Sequence, residues 1–292
     1  MTICPYQKAM ADFKQTDLIE LSHDREHSAP VLTSSPLLEE TWRLWSQNSR
    51  MPVETFALFR EKAPAWFKDS RLNTLTGLDE FPVTETIMGV NHYLDNLLLD
   101  YGIDGVQVLE HDYTYYWRLD PNKVPAEPGK LDPRKALIIS MPFAGLNDIH
   151  PYMDELLDEA LTKGIPVHID AAWITAARDI SFNFDHPAIQ SVAMSLSKGM
   201  ALWQNRVGIR WTREINPTDS ITIYNQFHMI PVLVVDIGLH YIQRVSPDHL
   251  WNTYEQRYNE ACKALYLRPT KMIHLAQSLD RSQTFAMKRV LE

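Results

Sequence analysis

The chain has 292 residues, of which 45% are hydrophobic, enough to bury a large core in one or two domains. Its net charge of −9 argues against nucleic acid or an anionic membrane surface as the main partner, because phosphate neutralisation requires a basic patch. Its two cysteines lie far apart in sequence, which suggests a reducing compartment without a disulfide framework. The N-terminus lacks an apolar signal core and no segment could span a bilayer, so we expect a cytoplasmic location.

The first hundred residues predict helices with aromatic buried faces. Apolar residues recur at helical spacing within residues 36–69, in two runs that Pro52 separates. Residues 81–84 predict a short strand or turn, and Met88 to Asp100 predicts the next helix. We interpret the aromatic residues of the two earlier runs as core or subunit packing.

The middle of the chain predicts strands that alternate with helices. Strands are expected at 105–109, 135–140, 166–170, 190–194 and 207–211, and a helix at 151–163 should end at Gly164. This alternation predicts an α/β fold with a three-layer, mainly parallel sheet and flanking helices.

After residue 214 the pattern becomes mixed. Helices are expected at 230–245 and 247–267, followed by a short strand-like run and a polar end. We therefore predict an N-terminal arm with helices (1–75), a large α/β domain (76–214) and a small, reduced second domain (215–292).

Three charged residues in the middle region suggest a specific chemistry. Lys198 lies among serines and a glycine, which are poor core material, and a lysine whose pKa falls on burial becomes an amine nucleophile. Asp170 ends an apolar strand, where open α/β sheets place ligand contacts, and Arg206 follows Lys198 by eight residues. A lysine to form a Schiff base, an arginine for a phosphate and a carboxylate for a pyridine nitrogen are what pyridoxal 5′-phosphate (PLP) requires.

The segments around these residues resemble a known family. Ser195-x-x-Lys198 with Leu202-Trp-Gln-Asn-Arg-Val-Gly208 resembles the lysine motif of class I and II aminotransferases, the fold-type I PLP-dependent enzymes. Asp170-Ala-Ala-Trp173 resembles the aspartate motif that precedes it. The resemblance implies a homodimeric aminotransferase that moves an amino group between an amino acid or amine and a keto acid, with Lys198 as the catalytic Schiff-base lysine.

The same resemblance implies further contacts with the cofactor. Residues 83–89 resemble the turn at a helix N-terminus that holds the phosphate, although Thr86 replaces a glycine there and Glu85 adds negative charge. Tyr113-x-x-Tyr116 resembles an aromatic pair that would stack Tyr113 on the pyridine ring, the alternative being an ordinary tyrosine at a strand end. The implied cofactor contacts are Asp170, Arg206, Ser195, Lys198, Tyr113, Thr86, Ile87 and Trp173.

The sequence also departs from the family at several places. Residues 140–145 lack the asparagine that meets the cofactor's phenolic oxygen, for which Asn147 or a serine could substitute. Trp173 stands where a tyrosine is common, and its indole can only donate. The C-terminal part is short, and neither Lys271 nor Arg268 specifically matches the arginine that grips the substrate carboxylate.

Other functions fit parts of the pattern. Ser195-x-x-Lys198 also occurs in penicillin-binding proteins, but the companion elements of that class are absent from the sequence. His168 and Asp170 could bind a metal with His111 and Asp112, although two ligands on one strand are a weak signal. Another PLP-dependent reaction (lyase, decarboxylase or racemase), or a non-catalytic binding protein that retains the fold, remains the alternative.

Overall fold

The computed structural model describes residues 18–20, 43, 52–119, 123–202 and 204–291. The predicted helical run before Pro52 lies outside these residues except for Arg43, which is helical. The second run forms a helix that begins at Pro52, where the missing N–H of proline costs no hydrogen bond. The helices are α1 (Pro52–Lys68), α2 (Val90–Tyr101), α3 (Thr114–Leu119), α4 (Met153–Lys163), α5 (Ser220–Gln226), α6 (Val232–Ile242), α7 (His249–Ala264) and α8 (Lys288–Leu291).

The described strands form three sheets, of which the central one has six strands in the order β3-β9-β8-β6-β5-β4. All its strands are parallel except β9, which runs antiparallel to both neighbours. A four-stranded sheet has the order β1-β12-β11-β10, and β2 pairs with β7. The strands are β1 (Leu18–Glu20), β2 (Thr74–Thr76), β3 (Val83–Ile87), β4 (Val106–Val108), β5 (Ala136–Ser140), β6 (Val167–Asp170), β7 (Ser181–Asn183), β8 (Ile189–Ser195), β9 (Gly208–Thr212), β10 (Leu267–Pro269), β11 (Leu275–Ser278) and β12 (Thr284–Ala286).

The central sheet is covered on both faces, which confirms the predicted fold class. One face packs against a large apolar cluster that includes aromatic residues of α1 and the buried face of α4. The other face packs against α2 and α5 through a smaller cluster that includes Tyr93, Leu94 and Ile221. In the part of the chain that the structure describes, no helix is long and apolar enough to cross a membrane.

Strand direction brings three chain segments to one edge of this sheet. The parallel strands β5, β6 and β8 end there at Ser140, Asp170 and Ser195. Because β9 runs back antiparallel, the connection between β8 and β9 stays at the same edge, where the Leu196 N–H donates to the Val207 carbonyl at 3.0 Å. We call this side, where β3 also ends and α2 begins, the carboxyl edge.

Candidate active site

The loop that joins β8 to β9 presents Lys198 at the carboxyl edge. A Cβ on the next residue, Gly199, would lie 2.2 Å from the Oγ1 atom of Thr175, so only glycine lets the loop contact the 3-10 turn Ile174–Ala176. The Lys198 ammonium lies 4.6 Å from the ring centroid of Trp173. Burial and the positive charge of Arg206 together lower the pKa of Lys198 to about 8, against an opposing effect of Asp170. A fraction of this lysine is therefore free amine near neutral pH.

Asp170 is a buried carboxylate held by two donors. Its side chain is 4% exposed. The hydroxyl of Tyr116 donates to Oδ2 at 3.0 Å, and the N–H of Ala172 donates to Oδ1 at 2.9 Å. Burial raises the pKa of Asp170, while these hydrogen bonds and the charge of Lys198 oppose that increase. A carboxylate in this environment can pair with a protonated nitrogen of a bound ring.

Two further residues fix the surroundings of Asp170. The buried carboxylate of Asp112 accepts from the N–H of Tyr113 at 2.6 Å and from the N–H of Ser140 at 3.0 Å. The Ser140 hydroxyl also donates to Asp112 and accepts from the N–H of Ala144, so its hydrogen bonds are made within the protein. Tyr113 is half-buried, and its ring centroid lies 5.6 Å from that of Tyr116. No sequence motif pointed to Asp112 in this role, and Tyr116 was predicted only as one half of an aromatic pair.

A cradle for an anion lies where α2 begins. Gly89 precedes the helix at φ +74°, and a Cβ there would lie 3.2 Å from both the Cβ of Arg206 and the Oγ of Ser197. The Ser197 hydroxyl is buried and has no hydrogen-bond partner among the described residues. The first turn of α2 has no acidic residue, and the first N–H groups of a helix have no acceptor in a preceding turn, which favours an anion there. An arginine, a hydroxyl and a helix N-terminus thus meet around one small space.

The position of this turn corrects the prediction made for residues 83–89. Thr86 and Ile87 lie within β3, and the turn consists of Met88 and Gly89. The backbone N–H and carbonyl of Thr86 both pair with the side chain of Asn225, and Ile87 is buried in the smaller apolar cluster. The helix-N-terminus pattern was recognised, but the strand, rich in β-branched residues, extends three residues further than expected.

Glu85 does not oppose an anion at this turn. It lies in β3 and pairs with Arg210, whose Nε donates to Glu85 Oε2 at 2.9 Å. Both side chains are buried, and Asp219 is the second partner of the same guanidinium. The negative charge of Glu85 is therefore neutralised within the protein.

Ser195 lies close to Lys198 in the chain, and Trp173 lies close to it in space. Ser195 is the last residue of β8, is fully buried and lies opposite Gly208, where a Cβ would come within 2.9 Å of it. The serine that shares the cradle with Arg206 is Ser197, two residues later, which the sequence analysis did not select. The repeated serine in Ser195-Leu-Ser197 was the available signal. Trp173 is half-buried, and its ring stacks on that of His274.

The residues that could have bound a metal lie in two different surroundings in the structure. His168 bonds to the Ser191 hydroxyl at 2.7 Å and to the Tyr101 hydroxyl at 3.0 Å. Asp112 is engaged with Ser140 and Tyr113, as described above. Among the residues that the structure describes, no three or more His, Cys, Asp or Glu side chains are grouped to hold a metal ion.

The residues at the carboxyl edge fit PLP on four structural grounds. The Ser197 hydroxyl is buried without a partner, and the glycine cradle beside Arg206 would suit a phosphate. Lys198 has a lowered pKa that suits attack on an aldehyde. Asp170 is a buried carboxylate under the influence of that lysine.

Comparison with solved structures identifies proteins of the same fold. An aspartate aminotransferase double mutant of Thermus thermophilus is 16% identical, with a TM-score of 0.63 over 94% of this chain and 82% of that one. An aromatic aminotransferase of Pyrococcus horikoshii is 15% identical, with a TM-score of 0.59 over 92% of this chain and 81% of that one.

An aspartate aminotransferase of Thermotoga maritima gives a TM-score of 0.56 at 16% identity, over 91% of this chain and 77% of that one. No protein-family model matches the sequence, and no curated protein matches it. The chain therefore has the fold of the aspartate and aromatic aminotransferases, as the lysine and aspartate motifs predicted.

Proposed function

We propose that this protein is a PLP-dependent aminotransferase that uses Lys198 to move an amino group between an amino acid or amine and a keto acid. The observation that carries the proposal is the meeting of Lys198, Asp170 and Arg206 at one sheet edge, although they come from different segments of the chain. The fold shared with aminotransferases supports the same conclusion.

The proposed cofactor contacts follow from the chemistry of each group. Arg206 and the Ser197 hydroxyl would hold the phosphate at the N-terminus of α2, because all of these groups donate hydrogen bonds to anions. Asp170 would hold a proton on the pyridine nitrogen, with Tyr116 fixing the carboxylate in place. Ser195, Tyr113 and Trp173 remain proposed contacts on the family resemblance, whereas Thr86 and Ile87 are replaced by the turn at Met88 and Gly89, because they lie within β3.

The reaction assigns a proton-transfer role to the lysine. PLP, when bound, supplies an electron-accepting ring that stabilises negative charge on the substrate's α carbon. Lys198 Nζ would take the proton from the α carbon and deliver it to C4′ of the cofactor, the shift that transamination requires, because its pKa of about 8 leaves part of the amine free. The half-buried position of Lys198 limits the access of water to the proton being moved.

The quaternary structure and location stay part of the proposal. The homodimer rests on the family resemblance alone. A cytoplasmic location is supported by cysteine usage, since Cys262 is a buried free thiol and the other cysteine lies far from it in sequence. The domain boundaries near residues 75 and 214 likewise remain predictions.

The first experiment is the visible absorption spectrum of the purified protein supplied with PLP, before and after borohydride. We expect a yellow band that borohydride bleaches in the wild type, because reduction fixes the cofactor on Lys198. Lys198→Ala should lack that band, while Lys130→Ala, at an ion pair with Glu127 on the protein surface, should retain it.

A screen of amino donors would then separate transamination from the other PLP-dependent reactions. Conversion of the bound cofactor to its amine form, reversed by a keto acid, is expected for an aminotransferase. Wild-type protein that takes up no PLP would contradict the proposal and favour a binding role. Bound PLP with no such conversion would favour a lyase, decarboxylase or racemase.

A further inference from the structure

His274 presents an unused hydrogen-bonding atom beside the candidate active site. Its ring stacks on Trp173 with the centroids 3.9 Å apart and the planes 6° from parallel. Its Nδ1 atom is buried and has no hydrogen-bond partner among the described residues. Because an unpaired buried polar atom is costly, such an atom next to a reactive lysine indicates a partner that arrives with a ligand.

The position of this ring is fixed by its backbone. The N–H of Ile273 donates to the Ala176 carbonyl at 3.1 Å, and the His274 carbonyl accepts from the N–H of Met287 at 2.8 Å. Met272 and Ile273 are fully buried, so the segment cannot turn away without exposing apolar surface. His274 is therefore held at the site by the C-terminal part of the chain.

The electrostatic surroundings determine the protonation state of His274 and therefore which hydrogen bonds its ring can make. Burial and, to a smaller extent, the positive charge of Lys198 lower the pKa of His274 to about 3, so the ring is neutral at pH 7. A neutral imidazole has one N–H donor and supplies no positive charge. The positive charge of the site comes instead from Lys198 and Arg206.

We propose that His274 donates a hydrogen bond from Nδ1 to an anionic oxygen of the ligand that binds beside Lys198. The assignment rests on the proposed function, in which two oxygens could be the acceptor: the phenolic oxygen of PLP and the carboxylate of the amino donor. Each is an acceptor only, so the facing group must donate. Ser140, a possible substitute at the phenolic oxygen, already bonds to Asp112 and Ala144.

Two variants of His274 separate the hydrogen bond from the ring stack. His274→Phe keeps a ring on Trp173 and removes the donor, whereas His274→Asn places an amide nitrogen near the Nδ1 position and removes the ring. His249→Phe is the matched control, because His249 is also half-buried but lies in the first turn of α7. All proteins are loaded with PLP and compared with the wild type.

The measurements are the pH midpoint of the PLP absorbance change and the KM for donors with and without a carboxylate. If the phenolic oxygen is the acceptor, His274→Phe should raise the midpoint by about one pH unit, because the anionic oxygen loses a donor. If the substrate carboxylate is the acceptor, the midpoint should stay and the KM for amino acids should rise about tenfold, with no change for amines lacking a carboxylate.

In both cases His274→Asn should remain near the wild type. The assignment is overturned if His274→Phe changes neither quantity, or if His274→Asn is impaired as strongly as His274→Phe. Wild-type protein that binds no PLP would overturn the proposed function and this assignment together. PLP-loaded wild type with an unaffected His274→Phe would overturn the assignment alone.

Discussion

The central sheet carries two buried polar clusters whose hydrogen bonding differs. At the carboxyl edge, the hydroxyl of Ser197 and the imidazole of His274 have buried atoms without a partner in the described structure. On the α2-facing side of the same strands, the hydroxyl of Ser191 bonds to both His168 and Tyr93, each at 2.7 Å. β8 carries Ser191 and leads into the loop with Ser197, and β6 carries both His168 and Asp170.

This difference in hydrogen bonding indicates that the Ser191 cluster stabilises the fold, whereas the atoms at the carboxyl edge bind a ligand. Burying a polar group is compensated only when its hydrogen bonds are made, so the satisfied cluster stabilises the fold by itself. Arg210 completes that cluster by pairing with Glu85 and Asp219. The unsatisfied atoms at the carboxyl edge gain partners only from a ligand, so substitutions in the two clusters should affect different properties.

The largest effect is expected for the removal of Arg210 from the satisfied cluster. Arg210→Met leaves Glu85 and Asp219 buried without their cation, and breaking a buried ion pair in this way should lower the free energy of unfolding by about 5 kcal/mol. Urea denaturation measures this loss of free energy. Arg134→Met, at a surface ion pair with Asp132, is the control and should leave that energy nearly unchanged. A similar small loss for Arg210→Met would contradict the structural assignment.

The second prediction concerns Asp112, a carboxylate near the site that is bonded to Ser140 and Tyr113. Burial raises the pKa of Asp112 to about 7, so the folded chain keeps a proton that the unfolded chain loses from about pH 4 upward. Asp112 thus opposes folding increasingly between about pH 4 and 7. Asp112→Asn mimics the protonated form, and its stability relative to the wild type should rise by about 4 kcal/mol from pH 4 to pH 8.

Urea denaturation of both proteins at the two pH values checks this prediction. Any hydrogen bond that asparagine cannot make contributes equally at both values and cancels in the comparison. Asp132→Asn serves as the control, because the hydrogen bonds from Arg134 lower the pKa of that exposed carboxyl to about 2. A relative stability of Asp112→Asn that does not depend on pH would show that Asp112 is ionised in the folded protein across this range.

The third prediction compares two residues of β6. Asp170→Asn should weaken PLP binding about a hundredfold, because the pyridinium would lose its buried counter-charge, and should leave the free energy of unfolding nearly unchanged. His168→Leu should lower that energy by about 2 kcal/mol, because the Ser191 and Tyr101 hydroxyls each lose a buried hydrogen bond to the imidazole, and should not change PLP binding. Absorbance titration and urea denaturation test both variants. Equal losses of PLP affinity would show that the two clusters are coupled.

Local patterns in the sequence determined how much of this arrangement could be predicted. Periodicity located the long helices and the apolar strands, and Gly164 ends α4 in a left-handed conformation as expected. The small strands β2 and β7 and the helix α5 were missed, because segments of three to seven residues carry too little periodicity. The lysine and aspartate motifs pointed to Lys198 and Asp170, because a lysine or an aspartate next to an apolar strand has few roles in packing a core.

Contacts between distant segments were not predictable in the same way. His274 reaches Trp173 only because the Met272–Leu275 turn hydrogen-bonds the segment that follows Trp173, and no local pattern specifies that pairing. Asp112 meets Ser140 because β4 and β5 are neighbours in the sheet. The motif residues Lys198 and Asp170 thus lie at the carboxyl edge, Thr86 and Ile87 lie within β3 instead of the turn, and contacts between distant segments required the structure.

The smallest expected effect distinguishes the two clusters through a matched pair of serines. Ser197→Ala removes a buried hydroxyl without a partner, so the free energy of unfolding should stay the same or rise by up to about 1 kcal/mol, while PLP affinity should fall about tenfold. Ser191→Ala removes the hydroxyl that bonds to His168 and Tyr93, so it should lower that energy by about 1–2 kcal/mol and leave PLP affinity intact. The same serine-to-alanine change should therefore reduce stability at Ser191 in β8 and reduce PLP affinity at Ser197 in the loop that follows. If Ser197→Ala destabilised the fold as much as Ser191→Ala does, the Ser197 hydroxyl would have a partner within the protein, and the cradle beside Arg206 would lose its strongest support as a phosphate site.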